Sequence, residues 1–518
     1  MNWKSNGKAI TALLLFSAIL VFYSFTYYHS QLFMYPSKMH SWAQADRLAL
    51  ALCFFDSGMN FFQPCTFSQV SQNGIVGVEF PIQSYLAAVL GHVFGRENIS
   101  LIFRLEDVVI TCIGLLFLFM ACYRRTQSFV FSIVAPLFVF SSPVFIYYTC
   151  SYFPDTAGAS MVFIAAYFIL NFIEHRKLRD YTLAVLFLTL GTLIKTSIGL
   201  YFIGFVAVAV FLALKRSDSP DTRLKIRVFL IALFGVIVIL ANYFYIKYLN
   251  RTYDASLFWH QPFPFEGLQD FGEYVELALK PYLLKEYFIL PQVLFWCAVV
   301  GSAIPGLRKD PLGRSTLLLA LVYMIGALSM FVLLGHAMSV HEYYFISIFI
   351  PFFGFTLLIA MIQLHKATLL FLEGRKSVNI ALCVSTIICF FFADYQANQR
   401  LGPDYNGWGK YYNTDWLKDS RGLMDSLGVP KEEKIVILNE PEPNLSLVYF
   451  DRKGYVMDEH RWGGYYLAGV EELMQEQHLK YLIVKEEYAS RYLSRDSNFF
   501  GNFKLIQKKG EINVYQFK

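Results

Sequence analysis

Long apolar runs constrain the fold of this 518-residue chain more than any other feature of its sequence. Hydrophobic residues make up 56% of the chain, which is more than ordinary globular domains contain. About 20 consecutive apolar residues suffice to cross a bilayer as a helix. The sequence therefore predicts a polytopic α-helical membrane protein with about eleven spans. The predicted spans are 9–28, 101–122, 128–148, 156–173, 181–195, 198–214, 228–248, 286–305, 315–334, 343–362 and 378–394.

Positive charges predict the orientation of these spans. Basic clusters fall on one side of the membrane if the spans alternate in direction, and they lie at 124–125, 176–179, 215–227, 308–314 and 366–376. Cytoplasmic loops carry the excess of Lys and Arg, so this side is predicted to be the cytoplasm. The net charge of +5 is accounted for by these loops, and no nucleic acid partner is expected. Lys4 and Lys8 precede an apolar run without an obvious cleavage site, which indicates a retained first span.

Three long segments fall on the opposite face, at 29–100, 249–285 and 395–518. Loops of this length in a compact domain are usually functional, so chemistry is expected outside the cytoplasm. The sequence predicts a membrane domain over 1–394, whose first outer loop contains membrane-lying helices, and a small extracytoplasmic α/β domain over 395–518. In this tail we predict strands at 434–438, 447–450 and 481–485, helices near 415–427 and 470–477, and a closing hairpin of 503–507 with 513–517. The tail has no phosphate-binding loop or nucleophile motif, which favours a cap or an acceptor-recognition module.

Asp46 is the first candidate for chemistry. Ser41 followed by Gln44 matches a capping box and predicts that a helix starts here. On this helix Asp46 shares a face with apolar residues such as Trp42 and Ala49. A carboxylate against apolar surface costs free energy unless a partner offsets it. The alternative is a helix-surface carboxylate paired with a neighbouring Arg, and the loop alone leaves both interpretations open.

Glu79 and Asp155 are two further acidic candidates, and each lies at a predicted helix start. Pro81 and Pro154 suit the first helical position, so Glu79 precedes one helix and Asp155 lies in the first turn of another. A purely structural role is the alternative, because the helix dipole stabilises an acid there by about 0.3–1 kcal/mol. Three acids from separate segments are predicted on one face at the membrane surface, where ionisable groups are functional candidates.

Basic and aromatic residues at the same face form a second set of candidates. They are Arg47, Arg104, Lys195, His336, His341, Tyr343 and Tyr344. Each alone is typical of an interfacial anchor. Together they would give a cationic floor that suits a lipid phosphate. His336 and His341 with nearby acids could also bind a divalent metal, but their spacing matches no standard metal motif, so no metal ligand is assigned and metal dependence stays open.

The eight cysteines predict neither a zinc site nor a disulfide framework, because six fall in or beside spans and no C-x-x-C occurs. Cys53 and Cys65 both lie in the first outer loop, and a bond between them stays open.

Taken together, these motifs resemble the C-type glycosyltransferases over about residues 1–395. The resemblance depends on Asp46 in a long first outer loop, the Glu-x-Pro segment at 79–81, Asp155 after the third span, Lys195 near the fifth span and the His/aromatic turn at 341–344. Family-39-like enzymes, the protein O-mannosyltransferases and the bacterial lipid A aminoarabinose transferases, are the most similar. Such enzymes use a polyprenyl- or dolichyl-phosphate sugar as donor on the non-cytoplasmic face.

The resemblance also implies roles for single residues. Asp46 matches the first-loop catalytic aspartate, and Glu79 and Asp155 match the family's other two acidic positions. Lys195 and Arg104 match basic residues near the donor phosphate, and Tyr343-Tyr344 resembles the aromatic segment that closes the lipid-phosphate site. Two departures leave the sugar and the acceptor open. Arg47 follows Asp46 where relatives often have an Asp-Glu pair, and Phe80 follows Glu79 where the aminoarabinose transferases have a basic residue.

The resulting prediction is a hexosyl- or pentosyl-transferase in a bacterial inner or plasma membrane, with its active site and tail on the periplasmic or extracellular side. It would move a sugar from a polyprenyl-phosphate donor to a lipid, glycan or protein acceptor by inverting single displacement, in contact with membrane lipids. The alternatives are a transporter or flippase of lipid-linked sugar and a polysaccharide polymerase or ligase. Transporters usually have broken spans, paired halves and charges near mid-membrane, whereas the charges here gather at the outer rim.

Overall fold

The protein is described here by a computed structural model that covers residues 7–215, 222–258, 264–276, 283–335, 337–369, 374–400, 414–457, 466–495, 497–498 and 500–518. The chain forms two compact units. The helical unit contains Met1–Leu32, Arg104–Phe244 and His260–Arg400. The loop–tail unit contains Phe33–Phe103, Tyr245–Trp259 and Leu401–Lys518. The predicted boundary at residue 394 remains a proposal, and it differs from this grouping in its placement of the first outer loop.

The membrane-spanning part is built from long apolar helices. Its helices are Gly7–Tyr28, Ile99–Thr126, Phe129–Phe140, Pro143–Tyr148, Pro154–His175, Leu178–Ile194, Gly199–Lys215, Thr222–Thr252, Leu268–Tyr274, Leu290–Lys309, Pro311–Leu334, Ala337–Val340, Tyr344–Ile348, Ile350–Thr368 and Gly374–Gln399, with a π-helical turn at Leu283–Tyr287. Within the described ranges, nine helices are long and apolar enough to cross a membrane. This confirms the polytopic helical class.

Two of the eleven predicted spans lie in helices of fewer than 18 residues. The 128–148 segment forms Phe129–Phe140 and the separate short helix Pro143–Tyr148, because a residue before proline disfavours the helical conformation. The 181–195 segment lies in Leu178–Ile194, a helix of 17 residues. That helix ends because Lys195 adopts an extended backbone conformation with φ −143°.

Two helical segments form the interior of the helical unit. In the most apolar 18-residue stretch of Pro154–His175, and likewise of Tyr344–Thr368, 89% of the residues are buried inside the protein. The corresponding share for Thr222–Thr252 is 17%. Apolar helices that expose most of their surface are those that contact lipid. Pro154–His175 packs against Leu178–Ile194, and Gly191 permits their close approach, since a Cβ there would lie 3.0 Å from Cβ of Met161.

The loop–tail unit combines two helices of the first outer loop with a five-stranded sheet. Its helices are Ser41–Asp56, Ile82–Phe94, Leu423–Ser426, Leu445–Phe450, Tyr466–Glu476 and Glu486–Arg495. Its strands are β1 (Ile435–Leu438), β2 (Gly454–Met457), β3 (Tyr481–Lys485), β4 (Phe503–Lys509) and β5 (Ile512–Phe517). The sheet order is β2-β1-β3-β5-β4, in which β2, β1 and β3 are parallel and β5 is antiparallel to both of its neighbours.

The α/β character of the tail, the predicted strands at 434–438 and 481–485 and the closing hairpin are confirmed. The predicted strand at 447–450 is wrong, because Leu445–Phe450 is a helix in which all six residues are buried. A short, fully apolar run shows no periodicity that separates a buried strand from a buried helix. The predicted helix near 415–427 is limited to a 3₁₀ turn at Asp415–Leu417 and the helix Leu423–Ser426, and Gly422 between them has φ +71°.

The first outer loop is joined to the edge of the tail sheet. The Gly454 N–H donates to the Phe67 carbonyl (3.0 Å), and the Gln69 N–H donates to the Gly454 carbonyl (2.8 Å). The loop thus covers the edge of β2, which would otherwise present unpaired backbone groups. A disulfide joins Cys53 to Cys65, the bond that the sequence left open. Both connections fix the first outer loop around Asp46.

Candidate active site

Asp46 lies on the helix Ser41–Asp56, which begins at the predicted residue. The predicted capping box is wrong, since no side chain caps this helix and His40 precedes it with φ +53°. The Gln44 side chain instead donates to the carbonyls of Ser37 (2.9 Å) and Met39 (3.0 Å). Only 4% of Asp46 is exposed, so its carboxylate is largely removed from bulk water.

Asn444 fixes the Asp46 carboxylate. Its side-chain amide donates to Oδ1 of Asp46 at 2.8 Å, and its own Oδ1 accepts from the Ser68 backbone N–H at 2.8 Å. Asn444 is 1% exposed, and with both ends of the amide bonded its orientation is set. Asn444 was not predicted from the sequence. One signal was present: the polar run 439–444 directly follows β1, and the carboxyl ends of parallel strands commonly form binding sites.

A cavity of about 480 Å³ adjoins Asp46. This volume falls in the usual range of small-molecule sites. The carboxylates of Glu440 and Glu442 line it together with Asp46, and Trp42 forms part of its apolar wall. None of the described residues that line this cavity is a Lys or an Arg.

Glu79 and Arg47 form an ion pair in the same unit. Arg47 Nη2 lies 3.2 Å from Oε2 of Glu79, and both side chains are mostly buried. The Arg47 guanidinium also lies over the ring of Phe258, 5.1 Å from its centroid. The Arg47 side chain therefore contacts Glu79, a pairing that the sequence analysis did not predict. Neither residue is among the described residues that line the cavity beside Asp46.

Asp155 and Lys195 form a buried ion pair in the helical unit. Lys195 Nζ lies 3.3 Å from Oδ2 of Asp155, and their side chains are 6% and 0% exposed. Pro154 begins the helix as predicted, which places Asp155 in its first turn. The Ser347 hydroxyl donates to Oδ1 of Asp155 (2.9 Å), so both carboxylate oxygens are engaged.

Tyrosine rings surround the Lys195 ammonium. Nζ lies 4.5 Å from the ring centroid of Tyr344 and 5.7 Å from that of Tyr343, within the range of cation–π attraction. The His341 ring contacts both tyrosines, with centroids 5.4 Å and 5.8 Å away. The structure therefore brings together five of the predicted residues, Asp155, Lys195, His341, Tyr343 and Tyr344. His336 lies outside the described residues.

Arg104 is buried and held by the turn that precedes Asp155. Its Nε donates to the Tyr152 hydroxyl (2.8 Å), its Nη1 donates to the Cys150 carbonyl, and its guanidinium lies over the Tyr152 ring. These contacts give Arg104 a structural role in shaping the turn. Its role beside a donor phosphate stays a prediction.

A buried charge cluster around Arg400 was also not predicted from the sequence. Arg400 is paired with Glu286 at 3.1 Å and with Glu342, and it is 1% exposed. The Tyr148 hydroxyl donates to Glu342 at 2.8 Å. Glu342 lies between His341 and Tyr343, so an acid inside the singled-out turn was the available signal.

The structure therefore places Asp46 and Glu79 in the loop–tail unit and Asp155 in the helical unit. That the three acids meet in one site stays a prediction. No group of three His, Cys, Asp or Glu side chains within the described ranges is arranged to hold a metal ion, and metal dependence stays open.

Comparisons with known proteins agree on the fold. Residues 79–244 match the family model described as dolichyl-phosphate-mannose-protein mannosyltransferase, a segment that contains Arg104, Asp155 and Lys195. No curated protein matches the chain in sequence. ArnT from Cupriavidus metallidurans in the apo state superposes with a TM-score of 0.57 at 13% identity, over 98% of both chains. The same enzyme bound to undecaprenyl phosphate gives a TM-score of 0.56.

Two further structures share the architecture. The archaeal oligosaccharyltransferase AglB from Archaeoglobus fulgidus, in complex with an inhibitory peptide and a dolichol-phosphate, gives a TM-score of 0.51 at 11% identity, over 99% of this chain and 74% of that one. The arabinofuranosyltransferase AftD from Mycobacteria gives 0.55 at 12% identity, over 98% of this chain and 40% of that one. These proteins belong to the C-type glycosyltransferases. The chain is therefore an integral membrane protein with the C-type glycosyltransferase fold.

Proposed function

We propose that the protein is a glycosyltransferase that moves a hexosyl or pentosyl unit from a polyprenyl-phosphate donor to an envelope lipid, glycan or protein. The shared fold supports this class, since similar structures hold undecaprenyl phosphate or a dolichol-phosphate. The observation that carries the proposal is Asp46, a buried carboxylate fixed by Asn444 at the wall of a cavity.

In the proposed reaction Asp46 accepts the proton of an acceptor hydroxyl or amine, or orients that group. The acceptor atom attacks the anomeric carbon while the bond from that carbon to the phosphate oxygen breaks. The electron pair of that bond leaves with the polyprenyl phosphate, and the anomeric configuration inverts. A positioned general base typically contributes about 10²–10⁴-fold to such a step.

The remaining candidates receive supporting roles in this proposal. The buried Asp155–Lys195 pair and the rings of Tyr343 and Tyr344 would place a cation where negative charge develops on the departing phosphate. The Arg47–Glu79 pair would organise the loop that carries Asp46. Arg104, His341 and His336 complete the set proposed to contact substrate.

The proposal places the reaction on the periplasmic or extracellular side of a bacterial inner or plasma membrane. The alignment of basic clusters on one side supports this orientation. A cysteine introduced at the exposed Glu472 position of the tail should react with an impermeant maleimide from outside intact cells. Labelling only in inverted vesicles would contradict the proposed orientation.

The activity is tested with purified full-length protein in nanodiscs, a labelled polyprenyl-phosphate sugar and an envelope extract as acceptor. Polyprenyl phosphate should be released and the label should move to the acceptor fraction. A transporter of lipid-linked sugar would leave the donor intact. An intact donor with every acceptor fraction would overturn the proposal.

A further inference from the structure

The buried cluster around Arg400 fixes the Glu342 side chain. Arg400 directly follows the helix Gly374–Gln399, and its side chain is fully buried. Its Nη1 lies 3.1 Å from Oε2 of Glu286, while its Nη2 donates to Oε1 of Glu342. The same oxygen of Glu342 accepts from the Tyr148 hydroxyl at 2.8 Å. Hydrogen bonds to an ionised group are short and directional, so these two donors set the direction of the Glu342 carboxylate.

The segment 342–347, which begins with Glu342, also contacts the buried pair of Asp155 and Lys195. Within this segment, the ring centroid of Tyr344 lies 4.5 Å from Nζ of Lys195. The Ser347 hydroxyl donates to Oδ1 of Asp155 at 2.9 Å. One short stretch of chain is therefore bonded to Arg400 at its start and touches both members of the ion pair further along.

Backbone and ring contacts keep the 342–347 segment in one arrangement. The Glu342 carbonyl accepts from the Phe345 N–H at 3.1 Å, which closes a turn. The Phe345 ring stacks on Tyr287 with centroids 4.0 Å apart, and Tyr287 is the neighbour of Glu286 in the chain. Close-packed interiors transmit displacements, so a shift of Glu342 would also shift the rings that follow it.

Aromatic rings make a second connection between the two sites. Tyr148, which donates to Glu342, lies 4.7 Å from Phe153 between ring centroids. Both rings contact Tyr343, at 5.8 Å from Tyr148 and 4.7 Å from Phe153. The Tyr343 centroid in turn lies 5.7 Å from Nζ of Lys195. The position of the ammonium thus depends on the same side chains that surround the Glu342 carboxylate.

We propose that Arg400 is a positioning residue for the Lys195 ammonium. It acts through Glu342 and the 342–347 segment, which hold two tyrosine rings around Nζ of Lys195. This inference rests on the proposed function, in which that ammonium lies beside the departing phosphate of the donor. Arginine suits the task because its planar fork bonds Glu286 and Glu342 from separate nitrogens in fixed directions, whereas a lysine ammonium is a point charge.

Arg400→Met in the full-length protein in nanodiscs tests this proposal with two readouts. The first is the rate at which formaldehyde and a borane methylate Lys195, located by mass spectrometry, with the exposed Lys366 as internal reference. This rate should rise at least about tenfold, because the segment that shields Nζ is released. The second is binding of a labelled polyprenyl phosphate, whose Kd should rise about tenfold as the cation loses its position.

A triple variant separates positioning from stability. Arg400→Met alone leaves two buried carboxylates without their arginine, which destabilises the protein. Arg400→Met/Glu286→Gln/Glu342→Gln removes those charges and should recover most of the thermal midpoint, since uncharged replacements of a buried ion pair are often close to neutral. Methylation of Lys195 should stay fast and the Kd should stay raised, because the bonds that fix the segment are still absent. The triple variant also decides the question where Arg400→Met does not fold.

Arg125→Met is the matched control. Arg125 is another arginine of the helical unit with a mostly buried side chain, and its Nε lies 2.7 Å from Oε1 of Glu174. Its removal should lower the thermal midpoint in the same way. Both readouts should stay within about twofold, because well-separated sites contribute independently.

The proposal requires both readouts to change in Arg400→Met, and either one unchanged would overturn it. Return of both readouts to their original values in the triple variant would also overturn it, as would equal changes in Arg125→Met. Donor turnover is measured in parallel. Turnover with a polyprenyl-phosphate affinity that does not depend on Arg400 rejects only the positioning role. The expected change in Lys195 methylation, in a protein that neither binds polyprenyl phosphate nor turns over any donor, rejects only the transferase function.

Discussion

The two acidic clusters of this protein hold their carboxylates in different ways. In the loop–tail unit, the neutral amide of Asn444 donates to Asp46, and two further carboxylates line the same cavity. In the helical unit, the Lys195 ammonium pairs with Asp155. An adjacent cation favours the charged form of a carboxylate, and a hydrogen bond from an amide fixes the direction in which the carboxylate points.

This difference assigns the two clusters different tasks within the proposed function. Asp46, at the wall of a cavity, is suited to act on an acceptor. Asp155 instead positions Lys195, whose ammonium is directed by two tyrosine rings. The comparison predicts that amide variants of the two aspartates fail for different reasons, one in turnover and the other in stability.

The sharpest way to break the comparison is Asp46→Asn. We expect turnover to fall by about 10²–10⁴-fold, because the amide cannot accept a proton, while the thermal midpoint in nanodiscs is retained. Release of polyprenyl phosphate from a labelled donor measures this. Asp56→Asn on the same helix is the control and should retain turnover within about twofold, as it lies outside the described cavity lining. If Asp155→Asn lost more turnover than Asp46→Asn, Asp155 and not Asp46 would be the proposed proton acceptor.

The second prediction concerns stability in the other cluster. Lys195→Gln should destabilise the protein by about 3–5 kcal/mol, because it leaves the Asp155 carboxylate buried without its cation. The double variant Asp155→Asn/Lys195→Gln should recover part of this loss, and a double-mutant cycle in thermal unfolding measures the coupling.

A matched control for that cycle is the exposed pair of Lys366 and Asp310. Lys366 Nζ lies 2.8 Å from Oδ2 of Asp310, and the two side chains are 47% and 29% exposed. Lys366→Gln should cost at most about 1 kcal/mol, since exposed ion pairs contribute little. Equal losses of stability in Lys195→Gln and Lys366→Gln would mean that burial does not make the Asp155–Lys195 pair more important for stability.

Local patterns in the sequence predicted the local parts of the structure. The helix start at Pro154 and the position of Asp155 in the first turn follow from proline geometry. The start at Ser41 was predicted correctly, but from a capping box that the structure does not contain. Lys195 was placed at the end of its helix because the apolar run ends there. These features depend on periodicity and on proline geometry, which a single segment contains.

Long-range partners could not be predicted in the same way. Asn444 and Asp46 are separated by 398 positions, and nothing in either segment specifies the other. Arg400 is 58 positions from Glu342, and a terminal arginine after an apolar run is typical of a surface anchor. The helix Leu445–Phe450 was missed because a short buried run has the same composition in either conformation.

Asn444→Ala sharpens the comparison at the amide itself. We expect turnover to fall about tenfold, since a hydrogen bond to a charged group contributes about 1.5–3 kcal/mol. The loss should appear in kcat with little change in KM for the donor, because Asn444 is proposed to position Asp46 and not to hold the donor. Asn502→Ala is the control, as Asn502 donates to the carboxylate of Glu471 at an exposed site of the tail. A change confined to KM would argue against positioning.

The smallest expected effect concerns the ion pairs that connect the first outer loop to the tail. Arg96 contacts both Asp56 (2.7 Å) and Asp451 (2.8 Å). Burial favours a higher pKa for Asp451, but hydrogen bonds from Arg96 and Lys431 outweigh it and lower the pKa below its usual value. A lowered pKa means that the folded state binds this proton less readily than the unfolded state.

The stability from Asp451 is therefore fully present above the usual aspartate pKa of about 3.9, and it is lost as the pH falls through the lower folded-state value. At neutral pH, Asp451→Asn should lower the thermal midpoint by about 2–4 °C, and the difference from the unmodified protein should vanish at acid pH. Asp415→Asn, whose partner Lys418 is largely exposed, should show no difference at any pH. A constant difference for Asp451→Asn across pH would mean that packing, and not charge, joins the loop to the tail.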